Sequence, residues 1–222
     1  MHTLVRPALR VLLLTSAWLS TLAAFPANAG QLQWASCTDE AAAECASGVE
    51  AAALRYQPAT RELLYTGRIG ADFHAYLAAA LDAHPEAQTL VVSSLGGVLN
   101  PALQAARTLN ARGITVRAAG RCASACAMLW VASERRQVED GTVLGLHSSR
   151  TAAVSAAVES AIAGHIGRQK TALLGHAGFP PQVIDRALST PADRMYWLKA
   201  RDLVRLGVDC TLVRGTATRG AI

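Results

Sequence analysis

The amino-acid sequence predicts one α/β domain with a mainly parallel sheet and a helical C-terminal portion. Two observations lead to this prediction. From Glu62 onward, short apolar runs of strand length alternate with segments whose apolar residues recur at helical spacing. Glycine or proline marks most of the changes from one kind of segment to the other. Strands that are separated by helices pair in parallel, so we expect a single domain over residues 61–222.

The elements before His147 alternate regularly between strand and helix. Four strands are predicted from short apolar runs, over residues 62–67, 89–93, 114–117 and 143–146. Three helices are predicted between them. The first covers 71–83 and the second covers 101–111, with proline at its favoured first position; the third follows Ser124 and is apolar on all sides.

The chain after His147 is predicted to be helical. An alanine-rich segment over 152–174 places four aliphatic residues on one stripe, and a glycine- and proline-containing break follows it. Two shorter helices are predicted over 182–188 and 200–206. The members of the aliphatic stripe are Val154, Val158, Ile162 and Ile166.

The first 29 residues have the pattern of a secretory signal peptide. Two arginines precede an apolar run over 11–24, and small residues at Ala27 and Ala29 form an A-x-A cleavage site. We therefore expect cleavage after Ala29 and a periplasmic or secreted mature protein. The alternative is an uncleaved membrane anchor, for which the apolar run is short.

The charge of the chain gives little support to nucleic-acid binding. The formal net charge is +5, and removal of the two leader arginines leaves about +3. The basic residues are scattered, with no arginine- or lysine-rich run and few aromatic residues among them.

All five cysteines lie after the predicted cleavage site, where an oxidising compartment favours disulfides. Cys37 and Cys45 are close together in the N-terminal segment 30–60, and we expect them to pair. Cys122 and Cys126 flank Ser124, so they could clamp its turn, or one of them could reach Cys210. The odd count leaves one thiol over. The spacing does not suit a zinc site, and no cofactor or metal is expected.

Ser124 lies in a small-residue turn at the start of the predicted apolar helix. The small neighbours permit a tight turn, and the first backbone N–H groups of a helix have no acceptor within it. The Ala125 N–H could therefore bind an oxyanion, and Gly97 could supply a second donor from the glycine pair after the strand 89–93. In the alternative interpretation Ser124 is a plain helix N-cap and the glycine pair a plain turn. The pattern is not the G-x-S-x-G elbow.

Three motifs in a fixed order resemble a known superfamily. They are Ser94-Leu95-Gly96-Gly97, then Gly120-Arg121-Cys122-Ala123-Ser124, then Arg136 eleven residues before the histidine of Leu146-His147. This order and approximate spacing are similar to those of the proteolytic subunit of the Clp protease and of its relatives in the Clp/crotonase superfamily. The similarity extends from about residue 63 to residue 206, and the two flanking cysteines look more like the exported branch of the superfamily.

The resemblance implies a Clp/crotonase-like fold of repeated ββα units and assigns roles to the motif residues. Ser124 would be the nucleophile and His147 the base, with the N–H groups of Gly97 and Ala125 as the oxyanion hole. The superfamily also has a catalytic aspartate before its final helix. Asp193 is the best candidate for that position and Asp185 the second. Asp193 could equally be a helix-capping surface carboxylate, and His147 a core histidine at a strand end.

The sequence thus predicts an exported serine hydrolase, a peptidase that works through an acyl-enzyme on a peptide or protein substrate. The alternative is a catalytically inactive protein of the same fold that binds or scaffolds other molecules in the periplasm. Acyl-CoA chemistry is a weaker third interpretation, because that cofactor is cytosolic. An exported chain has no ATP supply, so no ATPase partner is expected, whereas the resemblance implies self-association into a homo-oligomer.

Overall fold

The computed structural model describes residues 31–33, 52–149 and 155–214. The predicted signal peptide, Cys37 and Cys45 lie outside the described residues. In the described part of the chain the elements are, in order, β1 Gln31–Gln33, β2 Ala53–Gln57, β3 Glu62–Thr66, α1 Phe73–Ala83, β4 Thr89–Ser94, α2 Leu99–Ala111, β5 Thr115–Ala123, α3 Ala125–Val131, β6 Arg136–Glu139, β7 Val143–Leu146, α4 Ala156–His176, α5 Pro181–Ser189, β8 Tyr196–Lys199, α6 Ala200–Arg205 and β9 Thr211–Val213.

The strands of the described residues form one mixed sheet in which most pairs are parallel. The main path runs β1-β2-β3-β4-β5-β6-β9, and β7 joins it by pairing with β5 on one side and β8 on the other. The pairs β1–β2, β2–β3 and β7–β8 are antiparallel, and the remaining pairs are parallel. The predicted α/β class with a mainly parallel sheet is confirmed.

The long strand β5 has two different neighbours along its length. Its first half pairs with β6, with Val116 opposite Arg136, and its last residues pair with β7, with Ala123 opposite Gly145. Gly120 lies between the two halves with a φ of 59°, a conformation that favours glycine. This change of partner brings β7 beside the end of β5 that leads into α3.

The hydrophobic core includes a short helix that is buried on every side. All seven residues of α3 are buried, which explains why its sequence is apolar all round. Trp130 is its largest side chain, and the indole Nε1 donates to the Gln137 carbonyl at 2.7 Å. That bond satisfies the polar end of the ring and ties α3 to β6.

The predicted strands agree with β3, β4 and β7 to within one residue at each end, whereas β5 extends six residues beyond the predicted 114–117. The strands β1, β2, β6, β8 and β9 were not predicted. They are three to five residues long, and each contains at least one charged or polar residue, so their strand pattern is weak. Since β2 pairs with β3, the sheet extends to the N-terminal side of residue 61, where the sequence placed the start of the domain.

The first two thirds of α4 contact little of the described protein. Its residues from 157 to 169 are exposed or half-exposed, and Lys170 is the first fully buried residue of the helix. Two members of the predicted aliphatic stripe therefore lie outside the core, since Val158 and Ile162 remain 44% and 39% exposed. Within the described residues, no helix has both the length and the apolar character needed to cross a membrane.

Candidate active site

Three parallel strands end at the same edge of the sheet, and each is followed by a predicted site residue. Ser94 at the end of β4 lies opposite Cys122 in β5, and Ala123 lies opposite Gly145 in β7. Parallel strands present their carboxyl ends on one side, so the residues that follow them converge. The glycine pair after β4, Ser124 after β5 and His147 after β7 meet there.

Ser124 adopts a backbone conformation that residues with a side chain rarely adopt. Its φ is 54° and its ψ is −120°, a conformation that costs about 1–3 kcal/mol. Its N–H donates to the Gly145 carbonyl at 2.9 Å, and its carbonyl accepts from the Met128 N–H at 3.0 Å. The Ser124 side chain makes no capping bond to α3. The turn therefore directs the hydroxyl away from the helix.

The Ser124 hydroxyl is 2.7 Å from Nε2 of His147, within hydrogen-bond distance. His147 follows β7 directly and is partly buried. The sequence predicted both residues, and the structure brings them together across 23 residues of chain. At this separation the imidazole can accept the proton of the hydroxyl.

A disulfide and a glycine hold the Ser124 turn in place. Cys122 in β5 is bonded to Cys126 in α3, so the crosslink spans the serine. A Cβ added to Gly96 would lie 2.6 Å from the Ser124 Cβ and 2.7 Å from the Ala123 carbonyl oxygen, closer than real Cβ contacts. Glycine at this position is therefore required by the close approach of the two loops.

Gly97 is the residue that the sequence predicted as an oxyanion donor. Ile69 pairs with it in parallel: the Ile69 N–H donates to the Gly96 carbonyl and the Val98 N–H donates to the Ile69 carbonyl, both at 2.8 Å. In such a bridge the N–H of the middle residue points away from the partner strand. Among the described residues, the N–H groups of Gly97 and Ala125 have no hydrogen-bond acceptor. Both N–H groups are therefore able to donate to a bound ligand, as the predicted oxyanion hole requires.

The two candidate aspartates, Asp193 and Asp185, are both exposed in the structure. Asp193 lies exposed in the turn between α5 and β8, and Asp185 lies exposed on α5. Within the described residues, neither carboxylate is hydrogen-bonded to the His147 imidazole. The role of Asp193 as the third catalytic residue stays a prediction.

Arg136, the arginine of the sequence motif, is a structural residue in this fold. Its guanidinium is buried and donates at 2.7 Å to both the main-chain carbonyl and the carboxylate of Asp209, and also to the Ser133 carbonyl. It pairs with Val116 at the start of β5, the opposite end of that strand from Ser124. Arg136 therefore ties β6 to the segment that leads into β9.

Lys170 contacts the site and was not predicted. This residue of α4 is 6% exposed, and its Nζ donates to the His147 carbonyl at 2.6 Å and to the Ser149 hydroxyl at 3.3 Å. Burial lowers the pKa of its ammonium group to about 8. A single lysine in an alanine-rich helix has no sequence feature that marks it as buried, which is why sequence reasoning missed it.

The sequence left open how Cys122, Cys126 and Cys210 pair, and the structure decides it. Cys122 is paired with Cys126, and Cys210 is a partly buried free thiol. Burial raises the pKa of the Cys210 thiol, so it is a poor nucleophile at neutral pH. Within the described residues, no group of three or more His, Cys, Asp or Glu side chains could hold a metal ion.

Comparison with known proteins identifies the fold. No family model matches the chain, and no curated protein matches it. Among solved structures it is similar to a ClpP1 mutant from Listeria monocytogenes, with a TM-score of 0.57 and 18% identity over 71% of this chain and 93% of that chain. This chain has a Clp/crotonase-like fold. At 18% identity the likeness establishes the Clp/crotonase-like fold alone, so the chemistry of the site must be argued from its own residues.

Proposed function

We propose that this protein is an exported serine hydrolase that cleaves peptides through an acyl-enzyme intermediate. The observation that carries the proposal is the 2.7 Å separation of Ser124 Oγ and His147 Nε2, in a turn whose backbone is strained. A strained backbone at a side chain that faces a base is characteristic of catalytic sites rather than of structural turns. The hydroxyl of an ordinary serine N-cap accepts a hydrogen bond from a backbone N–H of its helix, whereas the Ser124 hydroxyl makes no such bond.

In the proposed reaction Ser124 Oγ attacks the carbonyl carbon of the scissile peptide bond while His147 Nε2 accepts its proton. The tetrahedral oxyanion accepts hydrogen bonds from the N–H groups of Gly97 and Ala125, each of which contributes about 3 kcal/mol in comparable sites. The C–N bond then breaks, and the imidazolium gives its proton to the leaving amine. Water attacks the resulting ester with His147 again as base, which releases the acid and restores the serine.

The proposed location outside the cytoplasm is supported by the leader pattern over residues 1–29 and by the disulfide beside Ser124. Sequencing the N-terminus of protein exported with its own leader tests this part. We expect the chain to begin at Gly30, and an intact leader on the purified protein would contradict the proposed cleavage.

One observation favours the alternative, a non-catalytic binding or scaffold protein. Asp193 is exposed and is not hydrogen-bonded to His147. The distance from Ser124 to His147 argues the other way, since a scaffold would not require a serine hydroxyl within hydrogen-bond reach of an imidazole. Because the Ser124–His147 pair can carry out nucleophilic chemistry without Asp193, we place the hydrolase first.

The decisive experiment is labelling with a fluorophosphonate probe, which forms a covalent bond with an activated serine. The protein is exported with its own leader and purified oxidised. We expect labelling of the wild type, none of Ser124→Ala, and strongly reduced labelling of His147→Gln. Ser189→Ala removes an exposed serine of α5 and serves as the matched control. If the wild type is labelled no faster than Ser124→Ala, the protein is not a serine hydrolase.

A further inference from the structure

The buried amine of Lys170 is hydrogen-bonded to the main-chain carbonyl of His147, the proposed general base. Lys170 is where α4 first becomes buried. Its two acceptors, the His147 carbonyl and the Ser149 hydroxyl, both belong to the segment that follows β7. One lysine thus connects a helix of the C-terminal portion to the strand end that carries the base.

The same short segment is also held from its other side. The Ser148 N–H donates to the Thr190 carbonyl at 2.8 Å, in the turn that follows α5. Lys170 holds residues 147 and 149 from α4, and Thr190 holds residue 148 from the α5–β8 connection. Alternate residues of the segment are therefore fixed to two different elements, which defines its path beyond the end of the sheet.

The position of the imidazole depends on this path. His147 lies outside β7, so the sheet register does not fix its main chain directly. The imidazole pivots about the Cα of His147, and the carbonyl held by Lys170 is bonded to that same Cα. A main-chain shift at His147 therefore moves Nε2 relative to Ser124 Oγ.

We propose that Lys170 is a positioning residue of the Ser124–His147 site, which fixes the imidazole through the main-chain carbonyl of His147. The expected effect of Lys170 on reaction rate rests on the proposed function, whereas its effect on the position of the imidazole does not. Lys170 does not touch the reacting atoms. Although burial lowers the pKa of its ammonium group to about 8, the group is mainly protonated at pH 7 and donates as a cation.

The test compares Lys170→Met with Lys170→Arg and with Lys199→Met as the matched control. Methionine keeps an unbranched side chain without the donor, and arginine keeps the charge and the donors. Lys199 lies exposed at the end of β8, so its substitution removes an equivalent amine elsewhere. We expect the rate constant of fluorophosphonate labelling to fall about tenfold to a hundredfold in Lys170→Met, because a shift of about 1 Å has this effect on comparable reactions.

Hydrolysis of an activated ester separates positioning from binding. We expect kcat to fall in Lys170→Met with KM nearly unchanged, partial recovery in Lys170→Arg, and wild-type values for Lys199→Met. A folded Lys170→Met protein that labels and turns over like the wild type would overturn the proposal, as would an equal loss in Lys199→Met.

A second measurement does not need activity. In ¹⁵N-labelled protein, the imidazole resonances of His147, assigned by their loss in His147→Gln, report the environment of the ring. We expect them to shift in Lys170→Met and to lie near their wild-type values in Lys170→Arg. If the wild type is not labelled by the probe, the proposed function is wrong. Unchanged imidazole resonances in Lys170→Met would instead contradict the positioning role of Lys170. Should Lys170→Met fail to fold, Ser149→Ala provides a milder test, with a smaller shift expected.

Discussion

Ser124 Oγ and His147 Nε2 lie 2.7 Å apart, yet the two residues are held in place by different interactions. The Ser124 turn is fixed by a disulfide, by a wholly buried helix and by backbone contact with Gly96. The segment that begins with His147 is fixed by hydrogen bonds from Lys170 and to Thr190. A strained serine needs rigid surroundings to persist, whereas the proposed base needs only correct placement. The comparison predicts that disruption on the serine side lowers mainly stability and that disruption on the histidine side lowers mainly the reaction rate.

The largest effect is expected on the serine side, from Gly97→Ala. The new Cβ would lie 2.1 Å from the Ile69 carbonyl oxygen, and the φ of 143° disfavours any side chain. We expect a loss of about 3 kcal/mol or more in the free energy of unfolding, measured by urea denaturation, together with loss of probe labelling.

The control for this substitution is Gly141→Ala, because Gly141 also has a positive φ, of 88°, but its added Cβ would meet open space. We expect a loss of about 1 kcal/mol there from the backbone conformation alone. Equal losses at the two positions would show that the contact with Ile69 contributes nothing.

The next largest effect is expected from the disulfide. The double variant Cys122→Ala/Cys126→Ala opens a crosslink between residues four apart in sequence. The chain-entropy model gives such a short loop a stabilisation of about 2 kcal/mol. We expect that loss in urea denaturation, with slower labelling because the strained turn is less restrained. Cys210→Ala, which removes a free thiol, serves as the comparison, and an equal loss in that variant would refute the special role of the crosslink.

A smaller effect per pH unit is expected from Lys170, on the histidine side. Lys170 has its pKa lowered from 10.5 to about 8 in the folded protein, so above pH 8 the native state releases a proton that the unfolded state keeps. Stability therefore rises with pH between about 8 and 10.5, by at most about 1.4 kcal/mol per unit.

The buried groups Cys210 and Tyr65 act in the opposite direction. Burial raises the pKa of each, so at alkaline pH the unfolded state loses protons that the native state keeps. The useful quantity is therefore the difference in unfolding free energy between the wild type and Lys170→Met across the pH series. We expect this difference to change in favour of the wild type above pH 8, and a constant difference would contradict the lowered pKa.

The smallest effect is expected from Asp193→Asn. Its carboxylate is exposed and makes no hydrogen bond with His147, so we expect less than about a threefold change in labelling rate. Loss of an orienting aspartate in a complete triad lowers kcat by about 10⁴-fold. A loss approaching that size would show that Asp193 reaches the imidazole in the active form, as the resemblance implies. Asp185→Asn, at the second candidate position, tests the alternative assignment in the same way.

Much of this architecture could be predicted from the sequence because the relevant patterns are local. The strands β3, β4 and β7 are short apolar runs, and α3 is apolar on every side. The short strands β6 and β8 were not predicted. A strand of four residues with charged or polar side chains has no clear sequence pattern and becomes evident only from the neighbouring strands with which it pairs. The burial of Lys170 was not predicted for the same reason, since it depends on the packing of other elements around this residue.

The sequence by itself determined the α/β class, the order of the glycine pair, the serine and the histidine, and the small residues that the serine turn requires. Only the tertiary structure decided that β5 exchanges β6 for β7 halfway along its length, which places Ala123 opposite Gly145 and Ser124 beside His147. It also decided that Cys122 pairs with Cys126 rather than with Cys210. The physical reason is that strand pairing and crosslinking join residues distant in sequence, and such contacts depend on the packing of the whole chain.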